Sequence, residues 1–306
     1  MRSSLKKYIN PKKYAGYFGR RFADLFNGLL PPNMIIDRLI SPITFQDLFS
    51  LKGPTIKELN LSANRYRDWV QKYFPDFQQT FKNLYHKKLL ELYTTFKVLN
   101  PQPSDTFMDA AGGEMTHLHW LNCRRKILQD IRISSSVRSR FGAEVEYLEG
   151  DAGTIGLPDK SIDKISCHHS FEHFQRDSDI LFIKEVQRLL KPKGKCCIIP
   201  IFIGNKYLEI TDIFTFDRKY DRQSKRLIDP TATIAGRKFS GNYARIYDLE
   251  SFQERILNKI DLSAFEVLIF ELRLDGEVVP DLSLDCHKIV TGINRLYRAM
   301  VIKKAC

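Results

Sequence analysis

From residue 106 to residue 201 short apolar runs alternate with amphipathic ones, and that rhythm leaves few architectures open to the chain. The runs at 106–110, 126–131, 145–148, 163–167 and 195–201 have strand length and are rich in apolar and β-branched residues. Helices are expected after the first of them, through residue 121, and over 180–190. Strands joined through helices lie parallel, because each connection must cross a face of the sheet, and the crossings cover both faces. Further on, 248–260 reads as an amphipathic helix with Asp248 as its N-cap, and 264–270 and 298–303 supply two more strands. The expected fold is α/β, with a seven-stranded mixed sheet and helices on both faces.

Three of these strands end on a carboxylate. Asp109 closes the first and is followed by Gly112-Gly113, a turn that lets backbone approach a ligand closely. Asp130 closes the second, 21 residues later, where a carboxylate can accept both hydroxyls of a ribose. Gly150-Asp151-Ala152-Gly153 follows the third, where a carboxylate can accept from an adenine amino group. Taken singly, these are a tight turn and two solvent-facing aspartates. Taken together, they stand at the carboxyl ends of successive strands, where open α/β sheets bind ligands.

The stretch 109–200 resembles a class I S-adenosylmethionine-dependent methyltransferase of the type 11 group. The resemblance rests on the acid and glycines after the first strand, on Asp130, and on the Gly150-Asp151-Ala152 turn. It continues through Gly156-Leu157-Pro158-Asp159-Lys160-Ser161-Ile162-Asp163, His169-Ser170-Phe171-Glu172-His173 and Leu190-Lys191-Pro192-Lys193-Gly194. It implies a Rossmann-like fold with S-adenosyl-L-methionine held by Asp109, Ala110, Ala111, Gly112, Gly113, Asp130, Ile131, Asp151, Ala152 and His168. One departure stands out. The family turn is G-x-G, and this chain has Ala111-Gly112-Gly113.

Methyl transfer to oxygen or nitrogen calls for a general base, and histidine is the usual one. His169 and His173 follow the fourth strand, where the resemblance places the methyl group, so they are the expected catalytic residues. The alternative is that Glu172-His173 caps or packs the next helix. The same five residues also read as H-x-x-E-H, a zinc-hydrolase pattern in which two histidines on one helical face hold the metal. His168 adds to that pattern, but zinc hydrolysis also needs a third ligand and a glutamate base positioned by a helix. The match falls where the resemblance places Glu-His, and His117-Leu118-His119 reads as helix surface and packing, so no metal is expected.

The insert at 204–244 is basic and aromatic, and Arg237, Tyr243 and Arg245 are the expected acceptor-binding residues. They suit an anionic small molecule such as a phosphorylated sugar, a nucleotide-sugar or a glycan precursor. The alternative is a solvated lid. A methyltransferase-like fold kept as a non-catalytic binding or scaffold protein is a further reading.

Residues 1–78 read as a basic, aromatic, helical extension, and 79–306 as the methyltransferase domain. Helical spacing of Phe81, Leu84, Tyr85, Leu89, Leu92 and Phe96 marks a helix near 80–99. The first hundred residues hold 17 Lys/Arg against 7 Asp/Glu, so most of the net charge of +12 lies there. The basic arm suits a cover over the active site or peripheral contact with an anionic membrane surface. A nucleic-acid partner is disfavoured, because no recognisable binding module accompanies the charge. No run approaches the roughly 20 apolar residues of a membrane span, and no secretory signal follows the basic start. The six cysteines form no CxxC pair. Reduced thiols and a cytoplasmic location are therefore expected.

Overall fold

The computed structural model of the chain describes residues 43–74, 84–113, 117–211, 221–228, 243–279 and 298–306. In chain order these hold β1 (Thr55–Leu61), α1 (Ala63–Tyr73), α2 (Leu84–Leu99), β2 (Thr106–Ala110), β3 (Arg125–Asp130), α3 (Ser135–Phe141), β4 (Glu146–Glu149) and β5 (Ile162–His168). There follow α4 (Ser178–Leu189), β6 (Leu190–Ile199), β7 (Leu208–Thr211), β8 (Lys225–Ile228), β9 (Ala244–Ile246) and α5 (Leu249–Arg255). The last elements are β10 (Phe265–Leu274), β11 (Glu277–Val278) and β12 (Arg298–Lys304).

Eight strands lie side by side in the order β1-β10-β12-β6-β5-β2-β3-β4, with β11 paired to the end of β10. All pairs along this path are parallel except those of β12, which runs antiparallel to both β10 and β6. This is the Rossmann-like mixed sheet, with one strand more than the seven expected. The eighth is β1, which pairs with β10 from Thr55↔Leu268 to Leu61↔Leu274. Part of the stretch expected as a helical extension is thus an edge strand of the main sheet. The signal was weak because an edge strand buries little, and of β1 only Leu61 is buried.

Alternation along the strands builds two cores. Cys196, Ile198, Met300, Ile302 and Met108 face one side, where they meet Phe182, Ile183 and Val186 of α4 and Phe252 of α5. Cys197, Ile199, Ala299, Val301 and Phe107 face the other, against Leu89, Leu90 and Tyr93 of α2 and Val137 and Phe141 of α3. Period-two side-chain direction puts helices on both faces.

Two expectations change. No α-helix follows β2 among the described residues; the segment before β3 holds a 3-10 turn at Leu118–Trp120. Its side chains turn inward instead, with Leu118 fully buried and His117 beside Asp109. The 191–194 stretch, expected as a turn before a strand, lies inside β6, where the β5–β6 register shifts between Ile162 and Lys164. The insert is more regular than its sequence suggests, since β8-β7-β9 form a small sheet of their own. At its far end α5 begins at an Asp248 capping box, as expected of that residue. The basic arm falls mostly outside the described residues.

Candidate active site

A cavity of about 500 Å³ opens at the carboxyl ends of β2, β3, β4 and β5. Ala111, Asp130, Ile131, Asp151 and Ala152 line one part of it, and Ser170, His173, Phe174 and Arg176 another. Backbone amides already orient both carboxylates. Asp130 accepts from Gly113 N–H at 2.9 Å through Oδ2 and from Arg132 N–H at 3.1 Å through Oδ1. Burial still raises its pKa against those amides. Asp151 Oδ1 accepts from Gly153 N–H at 2.7 Å. Between them Ile131 stands 75% exposed, an apolar side chain left bare on the cavity wall.

Gln129 joins the loops. Its amide donates to Gly150 C=O at 2.6 Å, and its Oε1 accepts from Ala111 N–H at 3.1 Å. Ser170 Oγ donates to Ala111 C=O at 2.7 Å, so the first turn is held from both sides. Ala111 itself has φ 50°, the left-handed region where a glycine is unstrained. At Gly112 a Cβ would lie 2.4 Å from Asp109 Oδ2 and 2.7 Å from Leu128 Cδ1. That glycine is required for space.

Asp109, Ala110, Gly112, Gly113 and His168 do not line the cavity; they build its floor. Asp109 is 1% exposed and accepts from Ser166 Oγ–H at 2.7 Å, with His168 Nδ1 at 3.5 Å and His117 Nδ1 at 3.7 Å. Burial pushes its pKa up, but the charges and hydrogen bonds of His117, His168 and Ser166 hold it at about 2. Ala110 is fully buried in the core. Gly113 contributes only through its N–H to Asp130. His168 is turned toward α2, with Nε2 2.8 Å from Thr95 Oγ1.

The two catalytic candidates separate. His169 Nε2 lies 2.8 Å from Glu91 of α2, and Nδ1 lies 3.3 Å from Glu172. Burial alone would lower its pKa; the Glu91 charge and hydrogen bonds to Glu172 and Glu91 overcome that and raise it to about 9. Both ring nitrogens thus face carboxylates and His169 does not line the cavity, so the ring is placed to pair with Glu91 and Glu172 and not to meet an acceptor. His173 lines the cavity, its side chain is 54% exposed, and Nδ1 donates to Tyr243 C=O. Glu172 Oε1 sits between the two rings, 3.7 Å from His173 Nε2. Burial would raise the Glu172 pKa, but both histidines hold it at about 2. The 169–173 motif lies on a 3-10 turn at Phe171–His173, and a carboxylate, not a gap, separates its rings. It does not build the zinc site that H-x-x-E-H suggests.

Arg245 and Tyr243 also fall elsewhere than expected. Arg245 is fully buried, with Nη1 2.6 Å from Asp179 and Nη2 2.9 Å from Glu209. The Tyr243 hydroxyl donates to the same Glu209 at 3.0 Å. Arg255 joins them through Asp179 at 2.8 Å and Asp221 at 2.7 Å. These pairs fasten the insert to the start of α4 and leave neither residue facing the cavity. Both arginines also donate to Arg176 C=O, at 2.8 and 2.7 Å, and Arg176 has φ 54°. Among the described residues, the arginine that lines the cavity is Arg176. Arg237 lies outside the described residues.

Sequence reasoning missed Glu91, Thr95, Gln129, Ser170 and Arg176. Glu91 carried a signal, since a charged residue between Leu90 and Leu92 on the apolar face of a helix needs a buried partner. The others are ordinary polar residues whose roles depend on contacts made in the fold.

Residues 110–198 match the family model described as a methyltransferase domain. Among solved structures the chain is similar to the 1,6-didemethyltoxoflavin-N1-methyltransferase of Burkholderia thailandensis, at 12% identity and TM-score 0.45, over 80% of this chain and 88% of that one. It is similar to phosphoethanolamine N-methyltransferase 1 of Haemonchus contortus at 14% identity and TM-score 0.42, over 80% and 50%. It is also similar to the YcgJ protein of Bacillus subtilis at 15% identity and TM-score 0.41, over 70% and 97%. No curated protein matches the chain. Among the described residues no helix is long and apolar enough to cross a membrane.

Proposed function

We propose that this chain transfers a methyl group from S-adenosyl-L-methionine to an oxygen or nitrogen of a small anionic acceptor, of the phosphorylated-sugar or nucleotide-sugar kind. The observation that carries the reading is the cavity wall itself, where Asp130 and Asp151 stand at adjacent strand ends with bare Ile131 between them. A nucleoside fits that set. Asp130 keeps lone pairs for ribose hydroxyls beyond its two amide bonds, Asp151 faces an adenine amino group, and Ile131 covers a ring face.

The cofactor supplies a methyl group on a sulfonium, so the protein has to position the acceptor and keep water out. His173 is placed to take the acceptor's proton at Nε2, because Nδ1–H is held by the Tyr243 carbonyl and fixes the tautomer.

Titration calorimetry with S-adenosylmethionine tests the cofactor half. Asp130→Ala is expected to weaken binding by about 1.5–3 kcal/mol, and absence of binding by the unaltered chain overturns the reading. His173→Ala should lower turnover about 100-fold with cofactor affinity unchanged.

A further inference from the structure

We propose that Asp109, His117 and His168 bind a divalent transition-metal ion, with zinc as the reference case. One carboxylate oxygen and one nitrogen from each ring lie within 4.8 Å of one another, the only such trio of possible ligands among the described residues. Asp109 is 3.7 Å from His117 Nδ1 and 3.5 Å from His168 Nδ1. Ligand bonds of about 2.0–2.1 Å in tetrahedral array put neighbouring ligand atoms roughly 3.3–3.5 Å apart. The two rings meet different oxygens, Oδ2 for His117 and Oδ1 for His168, so side-chain rotation has to draw the three ligand atoms, already within 4.8 Å of one another, onto one ion.

Charge and hydrogen-bond direction support a cation there. Asp109 is buried, and its ion-pair partners among the described residues are histidines, not lysine or arginine. The Thr95 hydroxyl donates to Cys197 Sγ at 3.7 Å, so toward His168 it presents lone pairs. His168 Nε2–H therefore donates to Thr95 at 2.8 Å. In the neutral ring, Nδ1 then turns its lone pair toward Asp109. Two acceptors facing each other need a positive charge between them, which a proton or a metal ion can supply, and the second ring of His117 beside the same carboxylate suits the metal. Thr95 acts as the outer hydrogen-bond partner that fixes the ligating tautomer, as metal-bound histidines usually require.

Two imidazole nitrogens and one carboxylate oxygen suit zinc, cobalt or ferrous iron over magnesium or calcium, which prefer all-oxygen sets. The three ligands come from the end of β2, the segment after the glycine turn and the end of β5. Among its described residues that segment has no crossover helix, so the ion would fasten it to the sheet directly beneath the cavity. None of the three lines the cavity, so the ion is a brace for the turn and its binding does not depend on the methyltransferase reading.

The test uses the full chain stripped of metal with a chelator. Cobalt(II) alone is titrated in while the visible d–d absorption of a four-coordinate site is followed, and zinc is then used to displace it. Stoichiometric binding and a rise in melting temperature on adding zinc are expected. His117→Gln should weaken cobalt binding about 100-fold or more, and Thr95→Val by about 10- to 100-fold. Thr95→Val leaves all three ligands in place, so it remains informative if the other variant does not fold. No absorption band and a melting temperature indifferent to zinc overturn the proposal and leave Asp109 paired with an imidazolium proton. Equal binding by the unaltered chain and Thr95→Val also overturns it, because the ion would then sit elsewhere.

Discussion

Replacing His169 with glutamine removes a buried cation from between two carboxylates, and the consequence can be sized. The His169 pKa rises from 6.5 to about 9 in the folded chain. At about 1.4 kcal/mol per unit, proton binding to this ring contributes on the order of 3 kcal/mol. The native state binds the extra proton, so this stability is fully present below pH 6.5 and is lost as pH rises through about 9. In the glutamine variant that loss is absent, and Glu91 and Glu172 face one another without a cation. Urea unfolding of both proteins across this range reads the difference directly. The unaltered chain should be more stable by about 3 kcal/mol at the acid end, with the gap closing toward the alkaline end. Parallel stability curves for the two proteins would refute the assignment of the proton to His169.

Three further outcomes follow from the same geometry. Ala111→Gly relieves a left-handed backbone at φ 50°; the relief of about 1–2 kcal/mol is partly offset by glycine's greater freedom when unfolded, so thermal unfolding should show a net gain of about 0.5 kcal/mol. Gly112→Ala forces a Cβ to 2.4 Å from Asp109 Oδ2, and denaturant unfolding should show a loss of about 1–3 kcal/mol. Arg245→Met leaves Glu209 buried with no guanidinium, costing about 3–5 kcal/mol in the same assay, and adding Glu209→Gln should restore part of it. A loss below about 1 kcal/mol for Arg245→Met would show that the pair is not what holds the insert down.

What the sequence made legible was whatever is local. Each of the seven expected strands is found within a few residues, because period-two alternation and the residues that stop it are written along the chain. Asp130, Ile131 and Asp151 were placed on one cavity for the same reason, since the ends of parallel strands in such a sheet share an edge. What stayed hidden depends on contacts between distant segments. Arg245 looked like a free cation because its partners Asp179 and Glu209 are far away in the chain. His169 looked like a base because Glu91, on α2, gives no hint of where its carboxylate will end. Gly112-Gly113 suggested a helix start, but beyond it His117 and Leu118 turn inward, and the described residues there form a 3-10 turn. β1 was unreadable as a strand because its exposed positions carry no alternation strong enough to mark a face.

That outermost strand has a consequence for how the molecule is made. Thr55 pairs with Leu268 and Leu61 with Leu274, so the contact joins opposite ends of the chain and closes one of its largest loops. Contacts of such sequence separation form late, because loop-closure entropy is lost before the pairing returns anything. During synthesis β2, β3, β4 and β5 can assemble while β1 waits without a partner for most of the chain to emerge. Until it docks, the outer edge of β10 presents unpaired amides and carbonyls along an apolar strand, the template on which chains associate wrongly. A protein begun at residue 79 would keep that edge bare permanently. The gain from β1 lies less in buried area than in the aggregation it prevents.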